Sequence, residues 1–186
     1  MPFTFTHANA LRCIIIGKIP CWAWHHIEIP INTSRMTSYE IKHRLEMIPA
    51  PPDGRLVIDG KDTIFIDGIE LVRLFPGEQV VIKASAVLGT EIDMEHAKWQ
   101  QNRCWYAYND SNHTDLEIET DIKGRTSEDI LNEADIILQR ECDILSATLL
   151  LCLGQVDKSE NDIIYKLAKQ NNIPDFIIPY WIEINN

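Results

Sequence analysis

Ala10, Leu11, Ile14 and Ile15 fall on one side of a helix running from about His7 to Ile16. Thr6 stands where an N-cap is needed, Gly17 where the helix should stop, and Pro20 forbids continuation. From Cys21 to Ile31 the spacing changes to alternation, with Trp22, Trp24, His26 and Glu28 on one side and Ala23, His25, Ile27 and Ile29 on the other. The stretch is rich in aromatic and β-branched residues and predicts a strand whose two faces are poorly separated. Thr37 and Glu40 form a capping-box signature, and Ile41, Leu45 and Ile48 follow at helical spacing until Pro49, so a short amphipathic helix is predicted there.

Ala50-Pro51-Pro52-Asp53-Gly54 is the clearest boundary, because adjacent prolines and a glycine extend neither a helix nor a central strand. Strand-like pieces follow at Leu56–Ile58, Thr63–Ile66, Ile69–Leu74 and Val80–Val87, punctuated by turns at Asp59-Gly60, Asp67-Gly68 and Pro76-Gly77. Arg103–Tyr108 and Leu116–Ile122 read as further strands around a polar loop, Asn109–Thr114. Thr126 or Ser127 caps the longest helix, from about Glu128 to Leu153, with Gly154 as its stop. Ile130, Ile137, Ile144 and Leu151 recur every seventh residue beside Leu131, Leu138, Leu145 and Cys152, with Ala134 and Ala147 between them. At 1.5 Å per residue this helix is roughly 40 Å long, more than a small lobe needs for its own core. Part of its apolar stripe is expected to meet a second chain. A helix over Ser159–Gln170 and a last strand over Phe176–Ile184 complete the pattern.

Composition narrows the function. The formal charge is −11, with 17 basic against 28 acidic residues and no basic run, which disfavours sequence-independent DNA binding. The cysteines, Cys13, Cys21, Cys104, Cys142 and Cys152, contain no CxxC pair and suggest neither a disulfide framework nor a zinc knuckle, and a reducing compartment fits them best. The sequons at Asn32, Asn109 and Asn112 are expected to be silent, since the N-terminal segment lacks the pattern of a signal peptide. The longest apolar run, Ala147–Leu153, is too short to span a bilayer, so a soluble protein is expected.

His25-His26 invites a metal reading, but successive strand residues point to opposite faces and do not easily share one ion. His96 with Cys104 invites a nucleophile and base, yet no motif surrounds the cysteine. Gly54, Gly60, Gly68 and Gly77 are turn glycines, and no phosphate loop is present. A stand-alone enzyme built on the His and carboxylate sets, or a transcription-associated adaptor, remains an alternative to the reading that follows.

Asn9-Ala10-Leu11-Arg12, Pro20-Cys21-Trp22-Ala23 through Ile27-Glu28-Ile29, Asn32-Thr33-Ser34, and His43-Arg44-Leu45 through Ile48-Pro49 occur in an order and spacing that resemble the assembly subunit of multisubunit RNA polymerases. This is the α/D family: the third-largest subunit of eukaryotic RNA polymerase II, archaeal D and bacterial α. Phe75-Pro76-Gly77-Glu78 through Lys83-Ala84, and then Glu95-His96-Ala97-Lys98-Trp99, resemble the family's return from an inserted lobe to its dimerisation lobe. The resemblance covers residues 7 to 150. It implies an α+β fold, with an α/D-like dimerisation lobe of sheet plus helices (residues 1–50 and 103–154), a small, mostly β inserted lobe with its return segment (51–102), and a C-terminal extension (155–186).

By the same resemblance the chain is a non-catalytic subunit of DNA-directed RNA polymerase. It would pair with a small subunit of related fold through Ile130, Leu131, Ala134, Ile137, Leu138, Ile144 and Leu145. It would dock the second-largest subunit through Asn9, Arg12, Arg44, His96, Lys98 and Trp99, and a small zinc-binding polymerase subunit is a further partner the resemblance admits. For Lys98 and Trp99 the competing reading is a turn followed by a core tryptophan. The chain departs from the family in Cys13, where a second arginine is usual, and in a shortened inserted lobe without the cysteine cluster that holds zinc or an iron–sulfur cluster, so no metal or cofactor is expected. Only Phe3–Phe5 remain to supply the strand before the first helix. Such reduction suggests a large DNA virus. Localisation with the polymerase, in nucleus, cytoplasm or virion, follows, without direct DNA or membrane contact.

Overall fold

The computed structural model describes residues 3–94, 96–108, 114–153, 161–170 and 172–185. Glu95, most of the expected polar loop at Asn109–Thr114, the stop at Gly154 and the helix start at Ser159 lie outside the described residues. The chain is α+β, as its pattern implied, and forms two compact units.

The first unit comprises Met1–Ile19, Asn102–Thr120 and Gly124–Asn186. Helix α1 (Phe5–Gly17) starts two residues earlier than its apolar spacing suggests, because Thr4, not Thr6, accepts the N–H of His7. Strands β6 (Asn102–Tyr108) and β7 (Thr114–Thr120) pair antiparallel, and α1 packs on them and on α4 (Ser127–Leu153). Thr126 caps α4: its hydroxyl accepts the Asp129 N–H at 3.2 Å, and its own N–H donates to the Asp129 carboxylate at 2.8 Å.

Helix α5 (Asn161–Gln170), a 3-10 turn (Asp175–Ile177) and helix α6 (Ile178–Asn185) close the unit. The expected strand at Phe176–Ile184 is therefore a helix. Pro179 explains the outcome: proline is tolerated in a first helical turn, where its missing N–H would have no partner, but not inside a strand. Ile177, Ile178 and Trp181 are buried, and the Trp181 indole donates to Ser146 Oγ at 2.8 Å.

The second unit comprises Pro20–Gln101 and Asp121–Lys123. Its sheet has the order β1 (Cys21–Asn32), β5 (Val80–Gly89), β2 (Arg55–Gly60), all antiparallel. Residues 20–50, assigned from sequence to the dimerisation lobe, here share a unit with residues 51–101, since β1 is hydrogen-bonded along its length to β5. Asp59 and Gly60 belong to β2, not to a turn.

In β1 the register slips between Trp24 and His26. This bulge leaves His25 as the extra residue and turns Trp24 to the same face as Ile27, which an uninterrupted alternation would have placed opposite. Trp24 therefore joins the main core with Ile41, Leu45, Leu71, Val80 and Ile82, while Cys21 and Ala23 point the other way, toward Trp99. Helix α2 (Ser38–Glu46) carries the full capping box of Thr37 and Glu40, and it buries Ile41 and Leu45. The hairpin of β3 (Ile64–Ile66) and β4 (Ile69–Val72) turns at Asp67-Gly68 with φ of 51° and 80°, the left-handed pair of a type I′ turn.

Candidate functional site

Within the second unit, β5 leads into a short helix, α3 (Glu91–Met94), and a 3-10 turn, Ala97–Trp99. His96 caps the turn, its Nδ1 accepting the Lys98 N–H at 3.2 Å. The turn lays Trp99, 2% exposed, against Cys21, Ala23, Val87, Met94 and Ile122. The Trp99 Nε1–H donates to the Val87 carbonyl at 3.3 Å, and the Cys21 thiol donates to the Trp99 carbonyl at 3.0 Å. Gly89 makes room for the indole, since a Cβ there would lie 2.9 Å from its Nε1.

Lys98 is 5% exposed. Its Nζ lies 3.0 Å from Glu46 Oε1 and 4.8 Å from the centre of the Trp99 ring. Glu46 is the last residue of α2, so the ammonium sits where that helix's dipole favours a cation. The ring of His25 lies 5.4 Å from that of Trp99. Burial lowers the His25 pKa, and Lys98 and His26 push it the same way. The side chains of Lys98 and Trp99 are thus consumed by their own unit, contrary to the expectation that they present a charged tip and an aromatic anchor to a large subunit. His96 stays exposed, and Arg44 stays exposed while its Nη1 donates to the Leu71 carbonyl at 2.9 Å.

The other motif residues, Asn9 and Arg12, lie in the first unit and share Tyr106 of β6. Arg12 Nε donates to the Tyr106 hydroxyl at 3.2 Å, Arg12 Nη2 to Asn9 Oδ1 at 3.2 Å, and the Tyr106 hydroxyl to Asn9 Oδ1 at 2.7 Å. The phenol hydrogen bond, more than the nearby thiols, raises the arginine pKa further. Cys13, where the family usually has an arginine, accepts weakly from Arg12 Nη2 at 3.4 Å, and its thiol donates to Asn9 Oδ1 at 3.9 Å. Asn9 and Arg12 are half-buried, and Phe5, 56% exposed, stands beside Tyr106 with ring centres 5.5 Å apart. Tyr106 and Glu46 were missed from sequence because each is distant along the chain from the motif it serves. A hydroxyl on an inward strand position and an acid in the last turn of a helix are the only local signals.

The long helix divides the expected pairing residues. Ile130, Ala134, Leu138 and Leu145 are 0–1% exposed within the chain itself; Leu131 and Ile137 are half-buried, and Ile144 is 41% exposed. Geometry accounts for the split. A straight α-helix drifts about 20° per heptad against a seven-residue repeat. The Ile130–Ile137–Ile144 column therefore rotates out of the core while the Leu131–Leu138–Leu145 column rotates into it. Ile136, absent from the expected set, is 69% exposed and shares the outer flank with Ile144.

The bulge at His25 brings the His25 and His26 rings to 4.8 Å, closer than simple strand alternation implied. Among the described residues, however, no group of three or more His, Cys, Asp or Glu is placed to hold a metal. Burial pushes Cys104 up to about 11, so it stays a thiol at neutral pH and makes a poor nucleophile. No helix among the described residues is long and apolar enough to cross a membrane.

No family model matches the chain. It is similar to the DNA-directed RNA polymerase subunit Rpo3 of several archaea. The protein of Pyrococcus horikoshii is 30% identical over 132 residues, covering 54% of this chain and 50% of the relative. That of Methanocaldococcus jannaschii is 26% identical over 163 residues, 76% of this chain and 83% of the relative. That of Methanosphaera stadtmanae is 26% identical over 217 residues, 90% and 78% respectively. The chain spans about half the length of the Pyrococcus relatives it matches. These relatives bear out the resemblance drawn from the NALR and HAKW blocks, and with it the α/D-like fold.

Proposed function

Given the relationship to the α/D family of RNA polymerase assembly subunits, we propose that this chain is a non-catalytic assembly subunit of a DNA-directed RNA polymerase. It pairs through the outer flank of α4 with a small subunit of related fold. The observation that supports this most directly is the ridge of Ile136 and Ile144, 69% and 41% exposed, beside half-buried Ile137 on a 27-residue helix. One flank of that helix is core, and the other offers aliphatic surface that a monomer gains nothing by exposing. The second-largest subunit then docks on what the motif clusters leave accessible: His96 and Arg44 in one unit, and the half-buried edge of Asn9 and Arg12 in the other. Lys98 and Trp99 hold their turn in shape for that contact without making it. A small zinc-binding polymerase subunit is a further partner of the assembly. The chain supplies no catalytic residue and localises with the polymerase.

The test replaces Ile136 and Ile144 with aspartate in a tagged chain co-expressed with the polymerase subunits. The double variant should keep its far-ultraviolet circular dichroism and lose the small partner at least tenfold. Leu138→Asp should instead lose the fold. Full recovery of the small partner with Ile136→Asp/Ile144→Asp rules out pairing through this flank, and failure of the wild-type chain to co-purify with the two largest subunits favours an adaptor outside the polymerase.

A further inference from the structure

The β1–β5–β2 sheet turns one face into the core of the second unit, through Trp24, Ile27, Ala84 and Ile82. Trp99 covers the opposite face at its Ala23 and Val87 end; beyond that end the face is open, and the strand register orders it into rows. His26, Ser85 and Arg55 lie side by side; Glu28, Lys83 and Val57 form the next row, and Ile31, Val81 and Asp59 the third. The first two rows line a shallow depression of about 260 Å³. Val57 is 76% exposed and Ile31 43%. Arg55 and Lys83 have no ion-pair partner among the described residues, although Lys83 stands directly across from Glu28.

We propose that this face docks an extended, acidic segment of a partner protein. One carboxylate seats over the Ser85 hydroxyl between Arg55 and His26, with Lys83 alongside, and an aliphatic side chain two residues further along the segment packs on Val57. The spacing fits. Alternate residues of an extended chain are about 6.6 to 7 Å apart and point the same way, which is also the separation of successive same-face rows on the sheet beneath. Charge selects the partner class. Two cations without ion pairs among the described residues, in a chain of net charge −11, mark a local seat for a carboxylate. Glu28 and Asp59 on the same face, and the charge of the whole chain, oppose a polyanion such as nucleic acid, whose binding needs many clustered cations. The aliphatic side chains beside the cations add the apolar contact that a protein segment can use.

This surface lies in the second unit and the pairing ridge in the first, so the two readings fail separately. The experiment places the photo-crosslinking residue p-benzoylphenylalanine at Val57 of the full chain, in the assembled complex as purified from cells, and maps the crosslinked peptide by mass spectrometry. The expected result is one site on a partner chain, with Asp or Glu within two residues of the crosslink. Arg55→Glu/Lys83→Glu should lower its yield at least tenfold, and Arg55→Gln/Lys83→Gln less. The circular dichroism should be unchanged, and the small partner should still bind. No crosslink, a crosslink to nucleic acid, a mapped site without a carboxylate, or a yield unmoved by charge reversal overturns the proposal.

Discussion

Removing either member of the Lys98–Glu46 pair should cost far more than an ordinary ion pair does. The charges are 3.0 Å apart, with side-chain exposures of 3% and 11%. At an effective dielectric of about 20 their attraction is about 5 kcal/mol, set against the desolvation of both groups. A single substitution forfeits the attraction and leaves the desolvation in place. Glu46→Gln strands an ammonium that is almost wholly enclosed, at a cost of about 3 to 5 kcal/mol. Lys98→Met strands a carboxylate at the C-terminal end of α2, where the helix dipole disfavours it, but Glu46 lies nearer to solvent, and the cost is about 2 to 3 kcal/mol. Lys98→Met/Glu46→Leu removes both charges and should recover a coupling energy of about 2 kcal/mol or more. Urea unfolding of the four proteins, with tryptophan fluorescence and circular dichroism required to coincide, reads these as shifts in midpoint at constant m. Single variants each below about 1 kcal/mol, with effects that simply add, would match an exposed pair and refute the internal latch.

Gly89→Ala should force the Trp99 indole off the Val87 carbonyl, since the new Cβ meets Nε1 and the Met94 side chain at 2.9 Å; a loss of about 1 to 3 kcal/mol is expected, read as a fall in thermal midpoint. Leu138→Ala should cost about 2 to 5 kcal/mol and Ile144→Ala less than about 1 kcal/mol, and equal losses in denaturant titration would contradict the division of α4 into core and open flanks. His7 stacks on Tyr180 at 4.4 Å, and burial lowers its pKa from 6.5 against the opposing pull of Asp135 and Glu183. The unfolded chain therefore takes up the proton first, so the contribution of neutral His7 is complete above pH 6.5 and is lost as pH falls from 6.5 toward the lowered folded value. His25, shifted in the same direction, adds to that slope, and His7→Phe should flatten part of it in stability measurements made across this range.

The elements with an unambiguous local signal were legible. The Thr37/Glu40 box, the Asp67-Gly68 turn and the start of α4 each rest on side chains within a few residues of the backbone they fix, so sequence neighbours suffice. The failures share a different cause. The bulge at His25 depends on register against β5, which no local pattern records, and it decides on which side Trp24 is buried. The C-terminal apolar run suits strand and helix equally by composition, and Pro179 was the arbiter. Along α4 a seven-residue repeat was visible, but which column faces the core depends on the drift of a straight helix and on what α1, α5 and α6 bring against it.

The same distinction explains the candidate site. Short motifs such as NALR and HAKW combine charge, amide and aromatic groups within a few residues, and that mixture reads equally well as a contact surface or as an internal joint. Solvation decides between them. An ammonium can be enclosed only if it finds a counter-charge, and Lys98 finds Glu46 together with a helix C-terminus and an indole face; Arg12 finds a phenol and an amide and stays half in water. Lys98 and Trp99 are therefore closed off by their own unit and Arg12 remains partly available, though neither difference is written in the motif itself. Surface open to a partner also includes residues without any motif character, Ile136 and Ile144 on α4, and Arg55, Lys83 and Val57 on the open part of the sheet face. Binding energy lost on substituting those residues, with stability unchanged, and stability lost on substituting Lys98 or Trp99 would together show that Lys98 and Trp99 build the platform while positions outside the motifs carry part of its contacts.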